Sequence, residues 1–204
     1  MLGGGGHARV LQECLESEGI ELLGYIAPES GGSLADVRWL GDDEALVKLD
    51  RSATVLVNGI GSANSPRLRK EVYEAARREG FDFRNVIDAN ANVKGSARLG
   101  NGVQILSGAL IGTSVILEDN VIINTGAIID HDSIVGAHSH ISPGAVLAGE
   151  ARVGDVTHVG LGARVIQGVT IGSNCTIGAG AVVVRDVPES SVAVGVPAVN
   201  RPTK

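Results

Sequence analysis

The sequence predicts a small parallel α/β domain, residues 1–84, followed by a parallel β-helix, residues 85–204, and three observations carry that prediction. All five aromatic residues, Tyr25, Trp39, Tyr73, Phe81 and Phe83, precede residue 84. From Ile87 onward an aliphatic residue recurs at every sixth position without a break in register. Before that point, strand-like and helix-like segments alternate, as they do where helices cover a parallel sheet. One core wide enough for rings and one too narrow for them are therefore expected in the same chain.

In the α/β part, Gly3-Gly4-Gly5-Gly6-His7 leads into Ala8, Leu11, Cys14 and Leu15 at helical spacing, and Gly19 closes the segment. A glycine turn feeding a helix lets a phosphate approach backbone N–H groups at the positive end of the helix dipole. The same residues also suit a plain tight turn. A Rossmann-like turn normally follows a strand, yet only Met1 and Leu2 stand before the glycines. The first strand is thus expected to be absent, and the native product to carry residues ahead of Met1. Residues 21–26 and 54–60 read as strands. Between the second of these and Phe81, Ser65 is the expected N-cap and Pro66 the first helical residue, followed by Leu68, Val72, Ala75 and Ala76, with Gly80 as the stop.

The repeat begins at Ile87 and runs through Val93, Leu99 and Ile105 to Val183. Four places after each aliphatic residue stands a small or modest side chain, as at Ala91, Ala97 and Val103, and glycine often takes the second place, as at Gly112, Gly136 and Gly160. Each unit reads as a short strand with its aliphatic residue inward, then a corner where glycine tolerates the bend. Three units close one coil, so residues eighteen apart stack at roughly 4.8 Å, the spacing of paired strands. His140 then stacks on His158, and His131 lies between Thr113 and Gly149. His131 is flanked by Asp130 and Asp132, either of which could hold its ring in one tautomer and favour its protonated form. The missing side chain at Gly149 leaves room for a ligand to meet the imidazole. His138, in a fourth place, reads as solvated, and the His140/His158 pair suits either a structural ladder or a groove.

Net charge is −6 and the basic residues form no stripe with aromatics, which argues against nucleic acid as a partner. Cys14 and Cys175 are too few and too far apart for a disulfide framework or a zinc site, so a reducing cytoplasm is expected. Glu13, Glu16 and Glu18 in the first helix are unlike a signal peptide, and no apolar run is long enough to span a bilayer.

The stretch Asn124-Thr125-Gly126-Ala127-Ile128-Ile129-Asp130-His131-Asp132, followed by His140-Ile141-Ser142-Pro143-Gly144-Ala145, resembles the bacterial nucleotide-sugar acyltransferases. These include UDP-4-amino-sugar and GDP-perosamine N-acetyltransferases and sialic acid O-acetyltransferases. Gly195-Val196-Pro197-Ala198 is similar to their C-terminal tail, and the likeness covers nearly the whole chain. It implies a left-handed β-helix, against the usual right-handed crossover rule. It also implies acetyl-CoA as co-substrate without a metal, a nucleotide-linked amino sugar as acceptor, and a homotrimer with active sites between subunits. The matching positions make His131 the general base and Asp132 its partner. His140, Gly149, Leu161 and Ala179 would lie along acetyl-CoA, and Gly4, Gly5, Gly6, His7 and Asn124 near the sugar nucleotide. Many relatives carry an acidic pair where this chain has Ala27-Pro28. Three other readings stand against this one: O-acetylation of a sugar hydroxyl, a non-catalytic scaffold, and a zinc β-helix carbonic anhydrase, whose histidine spacing His131, His138 and His140 do not show.

Overall fold

The computed structural model describes residues 1–34, 36–62 and 66–201. The first part is a small parallel sheet covered by helix α1 (Gly6–Ser17) and helix α2 (Arg67–Arg78). Tyr25–Ile26 pairs with Trp39–Gly41, and Val55–Leu56 with Asp82–Phe83, both in parallel. Leu2 bridges Ile26 on one side and Asn58 on the other, so a single residue holds the central place expected to be vacant. The strand expected over 21–26 is confined to Tyr25–Ile26, because Leu22 and Leu23 have no partner strand beside them, and Leu23 is exposed. The one expected over 54–60 likewise contracts to Val55–Leu56 with the bridge at Asn58. Both helices stop at glycines in the left-handed region, Gly19 at φ 74° and Gly80 at φ 86°. Pro66 leads α2, its carbonyl accepting from Lys70 N–H at 3.0 Å. The expected cap at Ser65 lies outside the described residues.

From Val86–Ile87 onward the chain winds into a left-handed parallel β-helix of two-residue strands forming three sheets. The eighteen-residue register holds throughout: Ile123 pairs with Ile141, Ile129 with Leu147 and Val135 with Val153. In each of these strands the second residue points inward and is buried, making one continuous aliphatic core. Burying each Ile, Leu or Val of such a column is worth about 1.5–3 kcal/mol, and the tapering interior has no space for a ring.

The corners differ from the expectation in one respect. From Leu99 to Ile177 the bend falls on the third residue after each inward aliphatic, where φ is positive whether the residue is glycine, as at Gly126 and Gly144, or not, as at Asn120, Asp132 and His138. Glycine in the second place serves close stacking instead. A Cβ on Gly160 would lie 2.6 Å from the Ile177 carbonyl oxygen of the next coil.

One sheet of the β-helix, containing Gln104–Ile105, Ile122–Ile123 and His140–Ile141, carries the α/β domain. Val86 and Leu106 join the aliphatic cluster of Ala8, Leu11 and Leu15 on α1, and outward-facing Gln104, Ile122 and His140 are buried. The six-stranded sheet has no such cover, and its outward Leu110 and Ile128 are 37% and 38% exposed.

Candidate active site

His131 follows the strand Ile128–Ile129 at the corner between the six-stranded and five-stranded sheets. Asp132 is the residue that makes the bend, at φ 58°, a conformation that aspartate tolerates better than most non-glycine residues. From there its Oδ2 lies 2.9 Å from His131 Nδ1, while Asp130 Oδ1 accepts the His131 backbone N–H at 2.7 Å. The imidazole leans over Gly149: a Cβ there would fall 2.5 Å from His131 Nε2. Nδ1 is therefore bonded to a carboxylate, and Nε2 faces the space that the glycine leaves. The hydrogen bond to Asp132 is the main cause raising the His131 pKa above the ordinary histidine value; desolvation opposes it, and the charges of Asp130, Asp132 and Glu150 add to it.

His140 stands on a different sheet and in a different environment. It is buried against the α/β domain, with Nδ1 2.5 Å from Ser62 Oγ and Nε2 3.0 Å from Asn124 Nδ2. The His158 ring meets it edge-on at 5.1 Å, and Ser142 Oγ lies 3.2 Å from His158 Nε2. Burial, and then the charges of His158, His7 and Arg69, push its pKa down to about 3, against a bond to the Ser62 backbone. His140 is thus a neutral ring at physiological pH.

The glycine turn opens α1 at Gly6, with Gly5 at the N-cap and no side-chain cap. Cβ atoms on Gly5 or Gly6 would meet nothing within 4 Å, so the first turn borders open space. A cavity of about 350 Å³ lies beside it, lined by Gly4, Gly5, Ala27, Pro28 and Glu29. A larger cavity of about 540 Å³ shares Gly4, Ala27 and Pro28 and extends between Asp43, Leu46, Val47, Leu68 and Val72. Ala27 and Pro28, the pair at which this chain departs from many relatives, thus form part of both walls. His7 Nε2 is 2.7 Å from Gln104 Oε1, and burial followed by the charge of Arg69 lowers the His7 pKa to about 4 despite that bond.

Of the residues singled out from sequence, His131, Asp132 and Gly149 meet at one corner, while His140 and Asn124 meet on the covered sheet. Leu161 and Ala179 stack eighteen apart at the corner following that sheet, and both are exposed. One chain does not bring these three places together. His138 differs from expectation: it is buried, with Nδ1 3.0 Å from Asn120 Nδ2 and its ring 5.5 Å from Tyr73, because α2 lies over that corner. Among the described residues, no three or more His, Cys, Asp or Glu side chains are gathered as metal ligands would be.

Sequence reasoning missed the polar seam between the two domains. Arg69 is buried on α2, donating to the carbonyls of Asn58 at 2.9 Å, Ile60 at 2.8 Å and Asn120 at 3.3 Å, with no carboxylate beside it. Asn58 Nδ2 donates to Asn120 Oδ1 at 3.1 Å, and Gln104 Nε2 to Asn58 O at 2.7 Å. An arginine on a helix face ordinarily reads as solvated, and only the strong amphipathicity of α2 hinted that the Arg69 position faces inward.

Comparison with known proteins bears on the whole chain. The model of the PglD N-terminal domain matches residues 1–108. PerB from Caulobacter crescentus, solved with CoA and GDP-perosamine, superposes with a TM-score of 0.92 at 42% identity, over 98% of this chain and 95% of that one. The acetyltransferase domain of PglB from Neisseria gonorrhoeae FA1090, solved also with acetyl coenzyme A, gives 0.92 at 33% identity over 98% and 97%. WeeI from Acinetobacter baumannii AYE, at 19% identity and a TM-score of 0.69 over 98% and 97%, shares the fold. A search of curated proteins gave no match. With a domain model over more than half its length and a 42% identical relative along nearly all of it, the chain belongs to the hexapeptide-repeat nucleotide-sugar acetyltransferases that carry a PglD N-terminal domain.

Proposed function

We propose that this enzyme transfers the acetyl group of acetyl-CoA to the amino group of a nucleotide-linked amino sugar, with His131 as general base and Asp132 as its partner. The observation that carries this reading is the His131 ring held by Asp132 over the side-chain-free Gly149. The neutral amine attacks the thioester carbonyl carbon. Its proton passes to His131 Nε2, and the imidazolium is stabilised by Asp132. A backbone N–H in the groove meets the oxyanion. As the tetrahedral intermediate collapses, the C–S bond breaks and the leaving thiolate takes the proton back from His131. Neither cysteine enters: both are buried, and burial raises each thiol pKa, that of Cys14 to about 12.

The diphosphate of the sugar nucleotide would lie on the first turn of α1, by Gly4, Gly5, Gly6 and His7, and its base in the adjoining apolar cavity. Acetyl-CoA would run along Gly149, Leu161 and Ala179 toward His140. Since Leu161 and His131 occupy different corners of one chain, a neighbouring copy must complete the site. The uncovered Leu110 and Ile128 beside His131 suit such packing. A cytoplasmic homotrimer serving surface-glycan synthesis is the assembly this implies, and no described helix is long and apolar enough to cross a membrane.

CoA release, followed with acetyl-CoA and a panel of nucleotide-linked 4-amino sugars beside the matching hydroxy sugars, tests the reading. Turnover is expected with the amines only. Turnover on hydroxyls would install O-acetylation instead, and none at all would leave a scaffold. Light scattering should give three times the chain mass, and a monomer at micromolar concentration would remove the shared site.

A further inference from the structure

Ser62 lies on the segment that follows the strand Val55–Leu56 and passes beside the first turn of α1. Gly59 N–H donates to Leu2 O at 2.7 Å, and a Cβ on Gly61 would stand 3.3 Å from the His7 Cβ. The loop thus touches the first turn of α1 at one end and the β-helix at the other, where Ser62 Oγ meets His140 Nδ1 at 2.5 Å. Ser62 is only 3% exposed and His140 8%, so water does not compete for this contact.

The partners of His140 determine where its proton resides. Asn124 Oδ1 accepts the Thr125 backbone N–H at 2.8 Å, which fixes the amide so that Nδ2 is the atom facing His140 Nε2. An amide nitrogen only donates, so Nε2 must be the bare, accepting nitrogen. A neutral imidazole then carries its hydrogen on Nδ1, and that N–H points at Ser62. With Arg69, His7 and His158 as the charged or titratable groups around the ring, no carboxylate among the described residues faces it to favour a second proton.

We propose that Ser62 is a positioning residue: with Asn124 setting His140 as the Nδ1–H tautomer, the Ser62 hydroxyl accepts from Nδ1–H and ties the loop beside the first turn of α1 to the β-helix. His140 then neither accepts nor releases a proton during turnover, and His131 is the sole histidine that does. The consequence for turnover rests on the acetyltransferase reading above, whereas the tautomer does not.

Long-range ¹H–¹⁵N correlation spectra of the histidine rings in the full-length protein test both parts. His140 is assigned by the loss of its signals in His140→Gln. In wild type, His140 should show a protonated-type Nδ1 and a bare-type Nε2 that do not titrate between about pH 5.5 and 9. Ser62→Ala should displace the His140 Nδ1–H signal while leaving the hydrogen on Nδ1, and lower kcat/KM for acetyl-CoA about tenfold, as loss of one buried partner typically does, and Ser62→Thr should restore both. A wild-type His140 with its hydrogen on Nε2 would overturn the proposal. So would a Ser62→Ala protein whose His140 spectrum is unchanged, whatever its activity. If the Nδ1–H signal is displaced as expected but no amino sugar is acetylated by any form, the acetyltransferase reading fails while the tie between Ser62 and His140 stands.

Discussion

His131 and His140 are nine residues apart in the sequence and share a side chain, but their surroundings differ in almost every physical respect. His131 sits at an uncovered corner, with its side chain 46% exposed and three carboxylates raising its pKa. His140 sits on the sheet that the α/β domain covers, bonded to a hydroxyl and an amide, its pKa pushed down to about 3. A three-sided coil makes this separation automatic: nine residues is half a coil, so the two rings face different directions. The chain can therefore keep one histidine for proton transfer and another for support without any insertion in the repeat.

The largest test of that division removes the exposed ring. His131→Ala should lower kcat by roughly 10² to 10⁴, the usual contribution of a positioned general base, with little change in acetyl-CoA affinity. Steady-state and equilibrium binding measurements on the same preparation separate the two. Retention of most turnover would move the base elsewhere and erase the contrast.

A smaller effect is expected from crowding the same ring without removing it. Gly149 is not in the left-handed region, so Gly149→Ala strains no backbone, but the new Cβ would overlap His131 Nε2. The exposed ring can swing aside, so the melting temperature should hardly move. Displacement by about an ångström can nonetheless lower kcat by about 10²-fold. At Gly160, where a Cβ would strike the backbone of the next coil, the same substitution should instead lower the melting temperature. Equal thermal losses at the two glycines would show that His131 is packed and not poised.

These two regions were unequally legible in the sequence. The β-helix could be read because each coil repeats the same local condition, an inward aliphatic and a tight corner, so register predicted both the stack of His131 over Gly149 and that of His140 over His158. In the α/β domain the strands are only two or three residues long, and contacts across the sheet and to the β-helix decide where they begin. Residues 21–24 look strand-like by composition yet pair with nothing, and Leu2 alone fills the central place. His138 was misread for a related reason: periodicity locates a corner but does not reveal that α2 lies on it. Ser62 carries no local signal, since its partner His140 is 78 residues away, and Arg69 carries only the amphipathicity of its helix.

The finest test concerns how strongly the corner carboxylate tunes the base. In kcat/KM the ascending limb reports His131 in the free enzyme, and only its neutral form can take the amine proton. Asp132 is the largest cause raising that pKa, by favouring the imidazolium. Its replacement in Asp132→Asn leaves an amide oxygen able to accept from Nδ1–H but removes the charge. The limb should therefore move to lower pH, while Asp130 and Glu150 remain to hold part of the elevation. The plateau should also fall, because a weaker base takes the proton less readily and the ring is less firmly oriented, to a level between wild type and His131→Ala. The two changes oppose each other below the wild-type limb, so the ratio of variant to wild-type kcat/KM should rise as pH falls. A ratio that is flat with pH would mean that Asp132 only orients the ring, and a limb displaced to higher pH would mean that the titrating group is not His131.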